Sequence, residues 1–344
     1  MKKIGIIGHF GKGHHLHNGQ TVKTQVVYDT LTQIFNEKEI MTIDTRGGLK
    51  FLVKMPFVIF YTLATCKNII IMPAYKAVFL MTPVIVGFNL FFHRSIHYIT
   101  IGGRLPKLLT DHKWLVMLLR QFTCIYPETK GINEQLEKLG LTNTQIMPNF
   151  KSLPNTQYTQ YSKGKPYRLC TFSRVSKEKG ITEAICAVNE TNKQLGEIAF
   201  ALDIYGEIDN EQWFKELMIN QPNNISYKGT IKQEESCIVL KDYFALLFPT
   251  YYKGECFAGT IIDAFTAGIP VFASDWHDNK NIIKDNITGR IYKAKSVQSI
   301  IDILLCAYEK PIIINEMRKK CIIESQKYKP ENIIKILTKR LIIK

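Results

Sequence analysis

Strand-like and helix-like segments alternate along this chain, and the alternation runs through twice. In the first half, short apolar runs at 3–8, 40–44, 68–72, 96–101, 124–126 and 145–148 read as strands, with helical patterns at 19–35, 75–91 and 128–139 between them. Near Phe150 the pattern gives way to SLPNTQYTQYSKGKP, a polar stretch with Pro and Gly that reads as a linker. The same grammar then restarts. Strands are expected at 168–173, 199–205, 225–228, 245–248 and 270–274, and helices at 180–195, 211–219, 233–240 and 261–267, before a helical tail from Val297 onward. Such alternation requires parallel sheets covered by helices. The expected architecture is therefore α/β: two Rossmann-like domains, at 1–160 and 161–329, with parallel sheets facing a central cleft. The helix over 330–344 is expected to return to the first domain. Ligands of such sheets bind beyond the carboxyl ends of the strands.

With 344 residues the chain is comfortable for two cores, and 46% hydrophobic residues exclude a disordered polymer. The eight cysteines include no CxxC pair and read as small buried hydrophobes rather than a disulfide or zinc framework. MKKIGIIGHF carries too short an apolar run for a signal peptide and reads as a first strand. The apolar stretches 51–65 and 77–92 are interrupted by Lys54, Pro56, Pro83 and Gly87, and no membrane-spanning helix is expected. Net charge is +15, of which residues 1–160 carry +10, from 18 Lys/Arg against 8 Asp/Glu. A basic half rich in apolar segments suits an anionic membrane surface or an anionic lipid-linked substrate. A lysine-rich composition with no partner is the competing reading. No Arg-rich arm or nucleic-acid motif is present, so nucleic acid is not an expected partner.

The stretch PTYYKGECFAGTIIDAFTAGIPVFASDWHDNKNIIKDNITG (249–289) carries the most chemistry. Gly254 and Gly259 let backbone N–H groups approach a ligand, and a helix starting near Thr260 points its dipole and unpaired amides at the same place, as a phosphate requires. Glu255 and Asp263 cannot serve a phosphate. They read as acceptors for the hydroxyls of a sugar and a ribose, which makes this a candidate nucleotide-sugar site. Upstream, TFSRVSKEKG places Arg174 and Lys179 past a strand, where they could grip a diphosphate. A solvated charge cluster is an equal reading of the same residues. Gly206 in DIYGEID stands directly after a strand, where the backbone must pass close to something, and Gly229 in SYKGTI exposes the main chain of Thr230 and Ile231; both strand ends are expected to face the donor. The first loop, HFGKGHHLHNGQTVK, lacks a GxGxxG fingerprint. Its His9, His14, His15 and His17 have no neighbouring Cys or carboxylate at metal-ligand spacing, so no metal site is expected.

Read together, SRVSKEKG, DIYGEID, SYKGTI, the 248–275 segment and DNITG resemble the family 4 glycosyltransferases (glycosyl transferases group 1) in order and spacing, over nearly the whole chain. HFGKGHHLHNGQTVKT and HYITIGGRLP resemble N-terminal pieces of members that build capsular and other surface polysaccharides. The resemblance implies a GT-B fold and a retaining, metal-independent transferase with the donor, expected to be UDP-linked, on the second domain. It implies that Arg174 and Lys179 neutralise the donor diphosphate, that Glu255 contacts the sugar, and that Asp263 contacts the ribose. Phe257, Ala258, Gly259 and Thr260 would hold the phosphate or sugar, Thr230 and Ile231 the base, and Gly19 would admit the first helix to the phosphate. A glycan or lipid-linked glycan is the implied acceptor. The cysteine usage separately points to the cytoplasm, and the basic, apolar-rich first half to peripheral contact at the inner face of the membrane. Departures are Asp263 for the usual Glu, Ser173 for a common Gly, Asn281 for a frequent Glu, and Gly102 where relatives carry a histidine; His97 stands too early to replace it. A sugar-nucleotide epimerase, a sugar phosphorylase or a non-catalytic nucleotide-sugar binder are the alternatives.

Overall fold

A computed structural model describes residues 2–11, 19–47, 49–154 and 156–342, with the backbone alone at 49 and 50. The chain divides into two compact units, one ending at Ser152 and rejoined from Tyr328 onward, the other spanning Leu153–Lys327. Residues 153–160, expected with the first domain, group with the second.

The first unit is a five-stranded parallel sheet built from β1 (Lys2–Gly8), β2 (Ile40–Asp44), β3 (Cys66–Met72), β4 (Ser95–Ile99) and β5 (Cys124–Tyr126), in the order β2-β1-β3-β4-β5. Its central strands are apolar on both faces, which demands cover on both. Helix α1 (Gly19–Ile34) supplies part of it, and α2 (Leu49–Thr65), α3 (Tyr75–Phe92), α4 (Leu105–Asp111), α5 (Lys113–Leu119) and α6 (Lys130–Lys138) follow in the chain. α3 packs beside both α2 and α5. It runs unbroken through Pro83 and Gly87 for 18 residues at a mean hydropathy of 1.6. By length and composition alone it could cross a membrane, which the interruptions in the sequence did not foretell, but it seats Val78, Met81 and Ile85 in the protein interior.

The expected strand at 145–148 is extended chain instead. It begins as a parallel partner of β5: the N–H of Ile125 donates to Asn143 O (2.8 Å), Gln145 to Ile125 O (2.9 Å) and Met147 to Pro127 O (2.8 Å). The bond that should come between the last two would be donated by residue 127, and proline has no N–H. One bridge, Ile125 to Thr144, is all that survives of the ladder.

The second unit contains β6 (Tyr167–Phe172), α7 (Ile181–Leu195), β7 (Phe200–Tyr205), α8 (Glu211–Met218), β8 (Ile225–Gly229), α9 (Ser236–Leu240), β9 (Ala245–Phe248), α10 (Gly259–Ala267), β10 (Val271–Ser274), α11 (Asn279–Ile282) and β11 (Gly289–Tyr292). α12 (Val297–Glu309) and α13 (Ile313–Ser325) complete it. Its parallel sheet has the order β11-β10-β9-β6-β7-β8. The sixth strand, β11, was not expected: its four residues, following the DNITG turn, are too few to register as an apolar run. α7 lies beside α12, and α10 beside α9 and α13. Arg318 of α13 is buried and fully occupied, donating to the carbonyls of Thr159, Tyr243 and Lys241 at 2.9 Å each, which ties the linker to this unit. The last helix, α14 (Pro330–Thr338), packs on α1 of the first unit, where Ile333, Ile334 and Leu337 share a core with Val27 and Leu31.

Six cysteines are buried, in keeping with their reading as small core residues, while Cys306 is half-buried and Cys186 on α7 is exposed. None is paired.

Two buried groups make this first unit sensitive. Lys23 of α1 and Glu128, just past β5, form an ion pair with almost no solvent exposure, and Lys23 Nζ also donates to Thr100 O at 3.2 Å. Removing one partner leaves an unpaired buried charge. Glu128→Ala should therefore destabilise the protein by about 3–5 kcal/mol in urea denaturation, and the paired replacement Lys23→Met/Glu128→Leu should recover most of the loss. His97 of β4 is fully buried, with Nδ1 3.0 Å from the Tyr126 hydroxyl, and burial lowers its pKa from 6.5 to about 4. The unfolded chain therefore takes up a proton near pH 6.5 that the folded chain resists until about pH 4. Stability should fall with pH across that window, and His97→Phe should flatten this part of the profile.

Candidate functional site

Strand order determines where the second unit can hold a ligand. In sequence order within the unit, the sheet reads 6-5-4-1-2-3, so the chain reverses direction of winding between β6 and β9. Loops leaving these two neighbours turn to opposite faces and open a crevice at their carboxyl ends. The loop after β6 carries Arg174 and Lys179, and the loop after β9 carries Glu255.

The two loops are bound to each other at several points. The N–H of Tyr251 donates to Glu178 O at 2.8 Å. Gly180 closes the first loop at φ +74°, and a Cβ there would stand 2.2 Å from Pro249 O, so only glycine lets the two backbones meet. Across this seam Lys179 Nζ reaches Glu255 Oε2 at 2.6 Å, and Thr250 Oγ1 donates to the same carboxylate oxygen at 2.8 Å. The pair is largely withdrawn from water, at 15% and 8% exposure. The ammonium also lies 5.3 Å from the centroid of Tyr252 and 5.9 Å from that of Phe248. Trp276 Nε1 donates to Tyr252 O at 2.8 Å, and Lys295 stands 4.9 Å over Tyr251, bracing the second loop from outside.

α10 starts directly beyond this pair. Its N-cap is Ala258, whose side chain has no oxygen, so the first turn receives no side-chain cap. Thr260 in that turn has its hydroxyl oxygen buried with no protein partner among the described residues. Phe257 is buried in front of the helix. The Ile261 amide bonds back to Ala258 O at 3.1 Å, while the start of the helix lacks a side-chain cap and carries a buried hydroxyl, groups that suit an anion. Asp263 is buried one turn further along α10, and its backbone carbonyl accepts from Cys237 Sγ at 3.7 Å.

Other expected residues fall in different surroundings. Arg174 is 63% exposed and meets Asp209 at 4.0 Å, so it and Lys179 engage different carboxylates. A hollow of about 280 Å³ lies on this Asp209 side of the loop, lined by Ser176, Lys177, Glu178, Asp209, Asn210 and Trp213. Gly206 does pass close to something, but to protein: at φ +136°, a Cβ there would be 1.8 Å from Ser173 O. It lets the β6 and β7 loops run together, as do the bonds Val175 N to Glu207 O (2.8 Å) and Asp209 N to Val175 O (3.0 Å). Thr230 is exposed and Ile231 half-buried just past β8. Asn281 donates to Asp278 Oδ1 at 2.9 Å. Gly19 opens α1 in the first unit, where an added Cβ would meet nothing within 4 Å. His9 Nδ1 lies 2.7 Å from Thr21 Oγ1, whereas His14, His15 and His17 lie outside the described residues. Among the described residues, no three His, Cys, Asp or Glu side chains converge as a metal-ligand set.

Thr250, Tyr252, Trp276 and Lys295 were not anticipated. Thr250 has a readable signal, since it stands two residues past β9 and five before Glu255. The contacts of Trp276 and Lys295 join segments that no local pattern connects.

Comparison with known proteins places the chain in a family. The family model described as "Glycosyl transferases group 1" matches residues 154–328, half of the chain and nearly all of the second unit. This chain belongs to the glycosyl transferases group 1 family. The GtfA subunit of a UDP-N-acetylglucosamine–peptide N-acetylglucosaminyltransferase from Streptococcus agalactiae is 31% identical over 165 residues, which is 47% of this chain and 31% of that protein. The chain thus spans about a third of the length of such curated relatives. Among solved structures, HepE of Anabaena in complex with UDP superimposes with a TM-score of 0.76 at 13% identity, covering 99% of both chains. The lipopolysaccharide outer core galactosyltransferase WaaB gives 0.74 at 15% identity over 98% of both. Likeness at such identities establishes the fold, which is GT-B.

The seam between the loops can be tested without touching a charge. Gly180→Ala should destabilise the second unit by about 1–3 kcal/mol, through backbone strain and the Pro249 clash, as measured by chemical denaturation.

Proposed function

We propose that this protein is a retaining glycosyltransferase that moves a hexosyl group from a UDP-sugar to a glycan or lipid-linked glycan in the synthesis of a surface polysaccharide, acting in the cytoplasm. The observation that carries this reading is the Lys179–Glu255 pair beside the uncapped start of α10, at the point where the sheet changes winding. Membership of the family supports the reaction class. HepE was solved with UDP, and WaaB is a galactosyltransferase of the lipopolysaccharide core, which supports the carrier and the acceptor class.

Cleavage between sugar C1 and a nucleoside diphosphate leaves negative charge on the phosphate and positive character on the ring. A donor diphosphate at α10 would take over the Lys179 ammonium and receive the first-turn amides. Arg174, exposed and only distantly paired, has room to turn toward it. Glu255, released from Lys179, would accept hydroxyls of the sugar, and Asp263 those of the ribose. Side-chain cations and a helix end would neutralise the leaving group, so the reaction would need no added metal. Preorganised contacts of this kind are each worth on the order of 3 kcal/mol in the barrier.

Lys179→Ala and Glu255→Gln should each lower sugar transfer by about 100-fold or more, with far-UV circular dichroism unchanged. Transfer at the wild-type rate in both Lys179→Ala and Arg174→Ala would refute the leaving-group role. A melting-temperature screen against nucleotide sugars should show a rise with UDP and one UDP-sugar, since ligands of the native state stabilise it. EDTA should leave turnover unaffected, and product NMR should show the donor's anomeric configuration retained.

A further inference from the structure

In the first unit, the helices covering one part of the sheet turn apolar side chains outward. On α2, Val53, Phe57 and Tyr61 recur at four-residue spacing and are 73%, 78% and 60% exposed. A helix of a water-facing surface would carry polar residues on that stripe. On α3 the outward positions include Leu90 and Phe91, the latter 81% exposed, and on α5 Met117 is exposed as well. These are one surface. Phe60 of α2 stands edge-on to Phe88 and Phe92 of α3, with centroids 5.4 and 5.2 Å apart, and Phe79 of α3 meets Trp114 of α5 at 5.2 Å.

The segment that carries this surface is strongly basic. Residues 49–123, which contain α2 to α5, hold nine Lys/Arg and a single acidic residue, Asp111. Lys54 follows Val53 on α2, Lys76 stands one turn before Leu80 on α3, and Lys113 stands beside Trp114; all three are exposed. Two copies of such a face would repel, and protein interfaces are depleted of lysine at their centres. Apolar and aromatic side chains set among lysines match a layer of anionic headgroups over hydrocarbon. We infer that the α2–α3–α5 face of the first unit docks onto an anionic lipid bilayer, with Phe57, Phe91 and Met117 entering the interface and Lys54, Lys76 and Lys113 meeting lipid phosphate. The inference is independent of the proposed reaction.

The test is co-sedimentation of the full chain with vesicles of phosphatidylcholine, with and without phosphatidylglycerol, at low and high salt. The wild type should bind only the anionic vesicles, and salt should weaken binding by screening. Phe57→Ser/Phe91→Ser should lower the partition coefficient by at least ~10-fold through lost apolar burial. Lys54→Glu/Lys76→Glu/Lys113→Glu should lower it by about 100-fold or more. Both variants change exposed positions, so an unaltered thermal midpoint will confirm that they fold. Failure of the wild type to bind anionic vesicles, equal binding to neutral ones, or unchanged binding by both variants would overturn the inference. So would a lipid-free dimer, in sedimentation velocity, that Phe57→Ser/Phe91→Ser dissociates.

Discussion

The ion pair between Lys179 and Glu255 joins two loops that belong to neighbouring strands but leave the sheet toward different helices. Neither charge would be stable so far from water alone. Each is tolerated because the other, together with the Thr250 hydroxyl, satisfies it. The pair depends in turn on the close approach of backbones at Gly180 and Pro249 and on the bond from Tyr251 to Glu178. The short mutual contact also fixes where the two groups stand at the strand ends. The structural bond and the proposed binding function are thus two uses of the same charges.

The two units reach related ends with different strand orders. In the second, winding reverses between β6 and β9, and the conspicuous chemistry gathers there. In the first, the order β2-β1-β3-β4-β5 places the reversal between β1 and β3. The buried ion pair of Lys23 and Glu128 lies instead between α1 and the residues that follow β4 and β5. They fasten the helix to the sheet edge. The apolar face of α2, α3 and α5 is a separate property of the same unit, and it accounts for the hydropathy of α3 without requiring that helix to leave the fold.

Much of this was legible before any coordinates. Five of the six strands of the second sheet, and the start of α10, followed from apolar runs bounded by glycine and polar turns. The misses have local causes. The 145–148 segment is as apolar as a strand, but its ladder fails because of a proline in its neighbour, Pro127, eighteen residues upstream. β11 is too short to announce itself. The need for glycine at 206 comes from Ser173 O, an atom of another loop that the strand-end position alone does not specify.

The sequence by itself determined the alternating α/β architecture, the basic character of the first half, and the residue types at the strand ends, because periodicity and composition are carried locally along the chain. Only the tertiary structure decided which of those charges meet. It paired Lys179 with Glu255, left Arg174 with Asp209, buried Lys23 against Glu128 and turned Phe57 and Phe91 to the surface. The reason is physical: a charge's partner and an apolar group's exposure depend on what the packed chain brings within a few ångströms, across separations in sequence that no periodicity records.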